Sequence, residues 1–164
     1  MLFRSQAERI LLRIAAYSML QDNPEEAPYG WTHCLTLPQG LLRNQDASSN
    51  HHALIAVAAT HVLANRAIHG RVAINVDAPA KTLQKNLANA DPASAASIAF
   101  HAPSSARAEI MAELATYAST HEDAHLVKYT LACFEAAAND PDAAPLFIAA
   151  AAYLGAWWRH SSHA

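Results

Sequence analysis

Charge is scarce in this chain: 15% of its 164 residues are charged, 11 basic against 14 acidic, for a formal net charge of −3. With no basic run, it has no electrostatic footprint for nucleic acid or an anionic membrane. Cysteine is nearly missing as well. Cys34 and Cys133 are the two present, too few to staple a domain this large, and free cysteines usually behave as small buried hydrophobes, which fits a reducing cytoplasm. Four glycines and eight prolines exclude a low-complexity or collagen-like chain. Long apolar runs are missing too. The longest, Leu146 to Trp158, has about 13 residues where a membrane span needs about 20, so it reads as a buried helix. The apolar start is broken by Arg4, Glu8, Arg9 and Arg13, which excludes the continuous hydrophobic region of a signal peptide.

What the chain has in quantity is alanine, 39 residues, within a hydrophobic fraction of 52%. Alanine loses no side-chain entropy in a helix, so the composition predicts an all-α protein. The length suits one domain with a real core over residues 1–164, folded as a compact bundle of six to seven helices. Ten histidines are the other excess, and imidazole is the side chain of metal sites and proton transfer.

Hydrophobic spacing predicts an amphipathic helix over Leu2–Gln21, stopped by Asp22-Asn23-Pro24. It starts at the first residue without an N-cap, as in a domain that is half of a longer or split architecture. After a loop from Asp22 to Gly30, Pro38 is placed in the first turn of a short helix to about Asn44. Asp46 to Asn50 cap a long helix over His51–His69, ended by Gly70. Arg71 to Val76 reads as extended, and Thr82 to Asn89 as a weak helix within a loop. Ser104 and Ser105 cap a helix through Tyr117. Ser119 or Thr120, followed by Glu122 and Asp123, forms a capping box for the next helix, to about Ala138. Asp142 caps a last helix over Ala143–Arg159.

The segment His121-Glu-Asp-Ala-His125-Leu-Val-Lys128 carries the chemistry. On a helix turning about 100° per residue, His121, His125 and Lys128 fall within an arc of roughly 60°. Leu126, Val127, Leu131 and Phe134 beside that arc predict partial burial, and a buried polar stripe has to be satisfied or filled, most economically by a metal ion. The pair also matches the H-E-x-x-H pattern of zinc hydrolases, with Glu122 as general base. Asp123 is out of place in that pattern, and Glu135 lies about 15 Å further up the same helix. An ammonium beside a dication is repelled, so Lys128 at the site would be deprotonated, carbamylated or turned toward an acid. The structural alternative makes His121 and His125 hydrogen-bonded core residues, with Lys128 reaching out to water.

His33, between Trp31 and Cys34, is the third ligand candidate. His51 and His52 open a helix. His61 sits in an apolar helix as a satisfied or site-lining residue, and His69, His101, His160 and His163 fall at helix ends or tails with no specific role. Tyr153, Trp157 and Trp158 read as core, Cys133 as core, and Cys34 as a thiolate ligand only if a positive neighbour lowers its pKa.

Three segments, Tyr29-Gly-Trp-Thr-His-Cys-Leu-Thr-Leu-Pro-Gln39, His121 to Thr130, and Leu146 to Trp158, together resemble the C-terminal part of the questin oxidase-like family, over nearly the whole chain. The resemblance implies a helical oxygenase acting on polycyclic aromatic ketones such as anthraquinones, with O₂ as co-substrate and a non-haem iron held mainly by histidines. Carried over by position, it implies His33, His121 and His125 as metal ligands and Lys128 as a modified-lysine ligand or neighbouring catalytic group. Family members are longer, and their N-terminal region adds histidines and pocket wall, so the resemblance also implies a second chain, a further copy or a split-enzyme partner. Two readings from other classes stand beside it: a non-catalytic helical partner or dimerisation domain, and a zinc hydrolase using Glu122.

Overall fold

The computed structural model describes residues 6–21, 29–43, 50–70, 73 and 75–161. Seven α-helices account for most of them: α1 Gln6–Leu20, α2 Tyr29–Arg43, α3 His51–His69, α4 Pro92–Phe100, α5 Ser104–Ser119, α6 Ala124–Asn139 and α7 Ala144–Ser161. The architecture is the expected all-α bundle. None of these helices is long and apolar enough to cross a membrane.

The apolar run of the sequence becomes the central helix. Leu146 through Trp157 of α7 are all buried, and α1, α4, α5 and α6 pack around them. The closest layer is α4, whose buried face is Ala95, Ala96, Ser97 and Ala99. Side chains this small let two backbones approach, and the dispersion contacts of close packing replace the bulk of larger residues. Hydrophobic spacing predicts no helix over α4, yet its start is marked: Asp91 accepts the Ser94 amide at 2.9 Å and Pro92 takes the first turn.

Two expectations need correction. Pro38 does not open a short helix; it lies buried inside α2, which runs unbroken from Tyr29 to Arg43. An interior proline costs about 3 kcal/mol. Burial of Trp31, Cys34 and Leu35 before it, and of Gln39 and Leu42 after it, offsets that cost. The Gln39 side-chain amide also donates to the Ala132 carbonyl at 3.0 Å, pinning α2 to α6.

The weak helix over Thr82–Asn89 reduces to a single 3₁₀ turn at Leu87–Asn89. Side-chain oxygens take the local amides instead: Ser97 Oγ accepts Thr82 N at 3.1 Å, Thr82 Oγ1 accepts Gln84 N at 3.2 Å and Asn86 Oδ1 accepts Ala88 N at 2.9 Å. No strand occurs among the described residues, and of the extended stretch Arg71, Val72 and Ile74 lie outside them. Leu2, Phe3, Arg4 and His163 lie outside them too.

At the other end of α6, Arg13 of α1 donates Nε and a terminal nitrogen to the buried Asp140 carboxylate, both at 2.7 Å. That fork joins the first helix to the end of the sixth.

Candidate functional site: a histidine and aromatic cluster where α2, α6 and α7 meet

Helix α6 starts at Ala124, and its N-cap is Asp123, whose Oδ1 accepts the His125 amide at 2.6 Å. The expected capping box at Ser119 or Thr120 does not form, because α5 runs on to Ser119. The Ser119 and Thr120 hydroxyls donate back to the carbonyls of Thr116 and Tyr117, at 2.8 and 3.0 Å. His121 and Glu122 therefore lie in the linker before α6, and the single helix face shared by His121, His125 and Lys128 does not exist. The i, i+4 geometry of a helical H-E-x-x-H site is lost with it.

The same residues nonetheless meet other partners. His125 Nδ1 faces Asp123 Oδ1 at 3.0 Å, and its ring stands edge-on to Tyr29 at 4.8 Å and to His33 at 5.3 Å between centroids. Tyr29 in turn meets Trp158 at 5.7 Å, and Trp158 meets His121 at 5.1 Å. His121 accepts the Asp123 amide on Nδ1 at 3.0 Å and borders Tyr117 at 5.6 Å. A row of rings, His33, His125, Tyr29, Trp158 and His121, thus runs from α2 over the α6 N-terminus to the end of α7.

Electrostatics follow from this placement. Partial burial pushes the Asp123 carboxyl up, but hydrogen bonds from the His125 amide and ring outweigh it and hold the group below its ordinary range. An ionised Asp123 beside Nδ1 favours the His125 tautomer that carries its proton there. His33 is pushed below the ordinary imidazole value, first by desolvation and then by the charges of His125, Lys128 and His61. A neutral imidazole is the form that ligates metal or accepts a proton.

Lys128 and Glu122 are exposed. His61 has a positioning contact, Nε2 on the His33 carbonyl at 3.1 Å, one residue before the Cys34 carbonyl that Pro38 deprives of its amide. His69 packs on Trp31 at 5.8 Å, so close to α2 that a Cβ on Gly30 would stand 2.7 Å from His69 Nε2. His51 Nε2 lies 3.4 Å from the buried Glu8 carboxylate, with His52 edge-on beside it. His101 and His160 bond the carbonyls of Pro79 and Ala90, at 2.7 and 3.1 Å, anchoring the coil before α4. Cys34 is no thiolate: burial pushes it up to about 12 against the opposing charge of Arg66.

Two participants carry no functional reading in the sequence. Tyr29 is assigned to a loop, although Tyr29 and His33 share one face once α2 starts at Tyr29. Trp158, read as core, is only partly buried and joins the row.

Whether the row suits a metal depends on geometry. Nitrogen ligands about 2.1 Å from one ion, at a tetrahedral angle, place their ring centroids about 5 Å apart. His33 and His125, at 5.3 Å, match that spacing. His121 does not join them: no group of three His, Cys, Asp or Glu side chains among the described residues is placed to share an ion. The residues fit half a shell. Three clefts, including one of about 710 Å³ bordered by Lys85, His101, Glu109 and Glu113, are lined by none of these rings. No known protein family, curated protein or solved structure matches the chain.

Proposed function

We propose that the chain is a metal-dependent oxygenase domain of questin oxidase type, acting on a flat aromatic ketone such as an anthraquinone. One observation supports this best. The three sequence segments that carry the resemblance lie far apart in the chain, yet Tyr29 and His33, His121 and His125, and Trp158 come together in one row of rings. Packing of a generic helical core gives no reason for those side chains to meet at a partly exposed edge.

In this reading His33 and His125 hold the iron through neutral imidazoles, and iron so held would supply activation of O₂. Asp123 fixes the tautomer and tilt of His125, the arrangement that sharpens a ligating imidazole. Tyr29 and Trp158 offer ring faces and edges to a flat apolar substrate. Lys128, one turn beyond His125, stands exposed to water beside the site. Glu122 stands in the linker and faces solvent, so the hydrolase role built on it finds no support in this geometry.

Anaerobic titration with Fe(II), followed by addition of an anthraquinone and O₂, tests the proposal. The expected result is iron uptake with quenching of tryptophan fluorescence by the aromatic ligand, and O₂ consumption that needs both. A protein that takes up neither iron nor the aromatic compound would end it.

The second reading, a helical partner domain, is favoured by α3. Ala53, Ala56, Thr60, Leu63 and Ala67 follow one another at the three- and four-residue steps of a helix seam, and all are exposed.

A further inference from the structure

Helix α3 turns to solvent a face made of core residues. Its exposed positions from His52 to Ile68 fall within an arc of about 160° centred on Thr60, and they include Val57, Leu63 and Ile68, at 53%, 68% and 70% exposure. A surface helix ordinarily carries charge on that side. Here the arc holds no acid, lysine or arginine, since the one such residue of α3, Arg66, lies over the Trp31 ring. The hydroxyl at the centre is already satisfied, Thr60 Oγ1 donating to the Ala56 carbonyl at 2.8 Å. The middle of the face can therefore be dried without stranding a polar group.

We infer that a second copy of this chain covers that face, α3 against α3, antiparallel across a two-fold axis at Thr60. The inference rests on the reading of α3 as a docking seam and is independent of any metal. Side-chain size selects the occupant. Ala56 and Val57 stand four and three residues before Thr60, and Leu63 and Ala64 three and four after it. On one regular helix, three back and four forward share one flank of the seam, while four back and three forward share the other. An antiparallel copy brings each flank onto itself. Val57 then meets the partner's Ala64 and Leu63 meets the partner's Ala56, large into small on both sides. Ala53 comes level with the partner's Ala67 along the middle, where small side chains let the backbones approach. Opposed helix dipoles favour this direction. An anionic membrane is not selected, because helices that lie on one bring lysine and arginine. The face is about 24 Å long and one helix wide, short of the ~800 Å² per partner of a standard interface, so the dimer is weak and reversible.

Sedimentation of the full chain from about 10 µM to about 1 mM tests this, together with disulfide trapping, from which the buried Cys34 and Cys133 stay apart. The expected result is a monomer–dimer equilibrium that Leu63→Asp weakens at least about tenfold, with helical content unchanged. Thr60→Cys, at the axis, cross-links on mild oxidation. Ala53→Cys does not, because its two copies stand about 21 Å apart along the seam. A monomer throughout the range overturns the inference, as does a dimer indifferent to Leu63→Asp or one cross-linked through Ala53→Cys. A monomer that binds the apolar dye ANS, with the signal lost in Leu63→Asp, overturns self-docking and leaves α3 a seam for a different chain. A monomer without that signal ends the partner-domain reading as well.

Discussion

Helices α3 and α7 are nearly the same material. Each carries six alanines and one arginine, in 19 and 18 residues. In α7 everything from Leu146 to Trp157 is buried, while in α3 only Ala58 and Val62 are. The difference lies in the neighbours: four helices pack on α7, while α3 packs chiefly on α1 and α2. Alanine content makes both helices, and the unbroken apolar run of α7, with the helices that pack on it, makes that one core. In the row of rings Tyr29 and His33 are exposed and His121, His125 and Trp158 partly so, within reach of solvent.

The contrast is broken most sharply by paired truncations. Phe147→Ala, at a site with no exposure, should cost about 3–5 kcal/mol in urea unfolding. Val57→Ala on α3, 53% exposed, should stay within about 0.5 kcal/mol. Equal effects would mean that α3 is packed in solution against something further. Next in size is the fork at the end of α6. Asp140→Ala removes both acceptors of the Arg13 guanidinium and should cost about 1.5–3 kcal/mol.

The caps differ in the same way. The Asp123 side chain bonds its helix, whereas Asn50 before α3 makes no side-chain cap bond. Asp123→Ala should cost about 1 kcal/mol and Asn50→Ala close to nothing. Asp123→Asn keeps the cap and loses the carboxylate behind His125, so it should leave stability nearly unchanged while weakening metal binding about 10–100-fold.

The smallest effect is in pH. The folded chain holds the His33 proton less tightly than the unfolded chain, whose ordinary value is 6.5. The His33 share of stability is therefore complete above 6.5 and is lost as pH falls through the lowered value. Melting temperature should fall on acidification from about pH 7.5 to about pH 5, and His33→Gln should flatten the slope.

The sequence makes the helices readable because alanine content and three- and four-residue spacing act locally. The central place of α7 is readable for the same reason, as its apolar run has nowhere else to go. What stays hidden depends on competition between neighbouring signals. Asp123 wins the cap from Ser119 and Thr120, which shifts the start of α6 by a turn and moves His121 off the helix. Pro38 looks like a start because the burial that outweighs its cost comes from other helices, α1, α3 and α6. The coil before α4 fails as a helix because Ser97, sixteen positions beyond Lys81, takes the Thr82 amide. In the row of rings, His33, His121 and His125 stand out in the sequence by residue type, while Tyr29 and Trp158 do not, because their meeting is purely tertiary.

The most direct test of the account is calorimetric Fe(II) titration under anaerobic conditions of the unmodified chain, His33→Ala and His125→Ala, with circular dichroism recorded on each. The expected result is tight uptake by the unmodified chain that falls by more than about 100-fold in either variant, with helical content unchanged. Uptake that survives unchanged in either variant would contradict it.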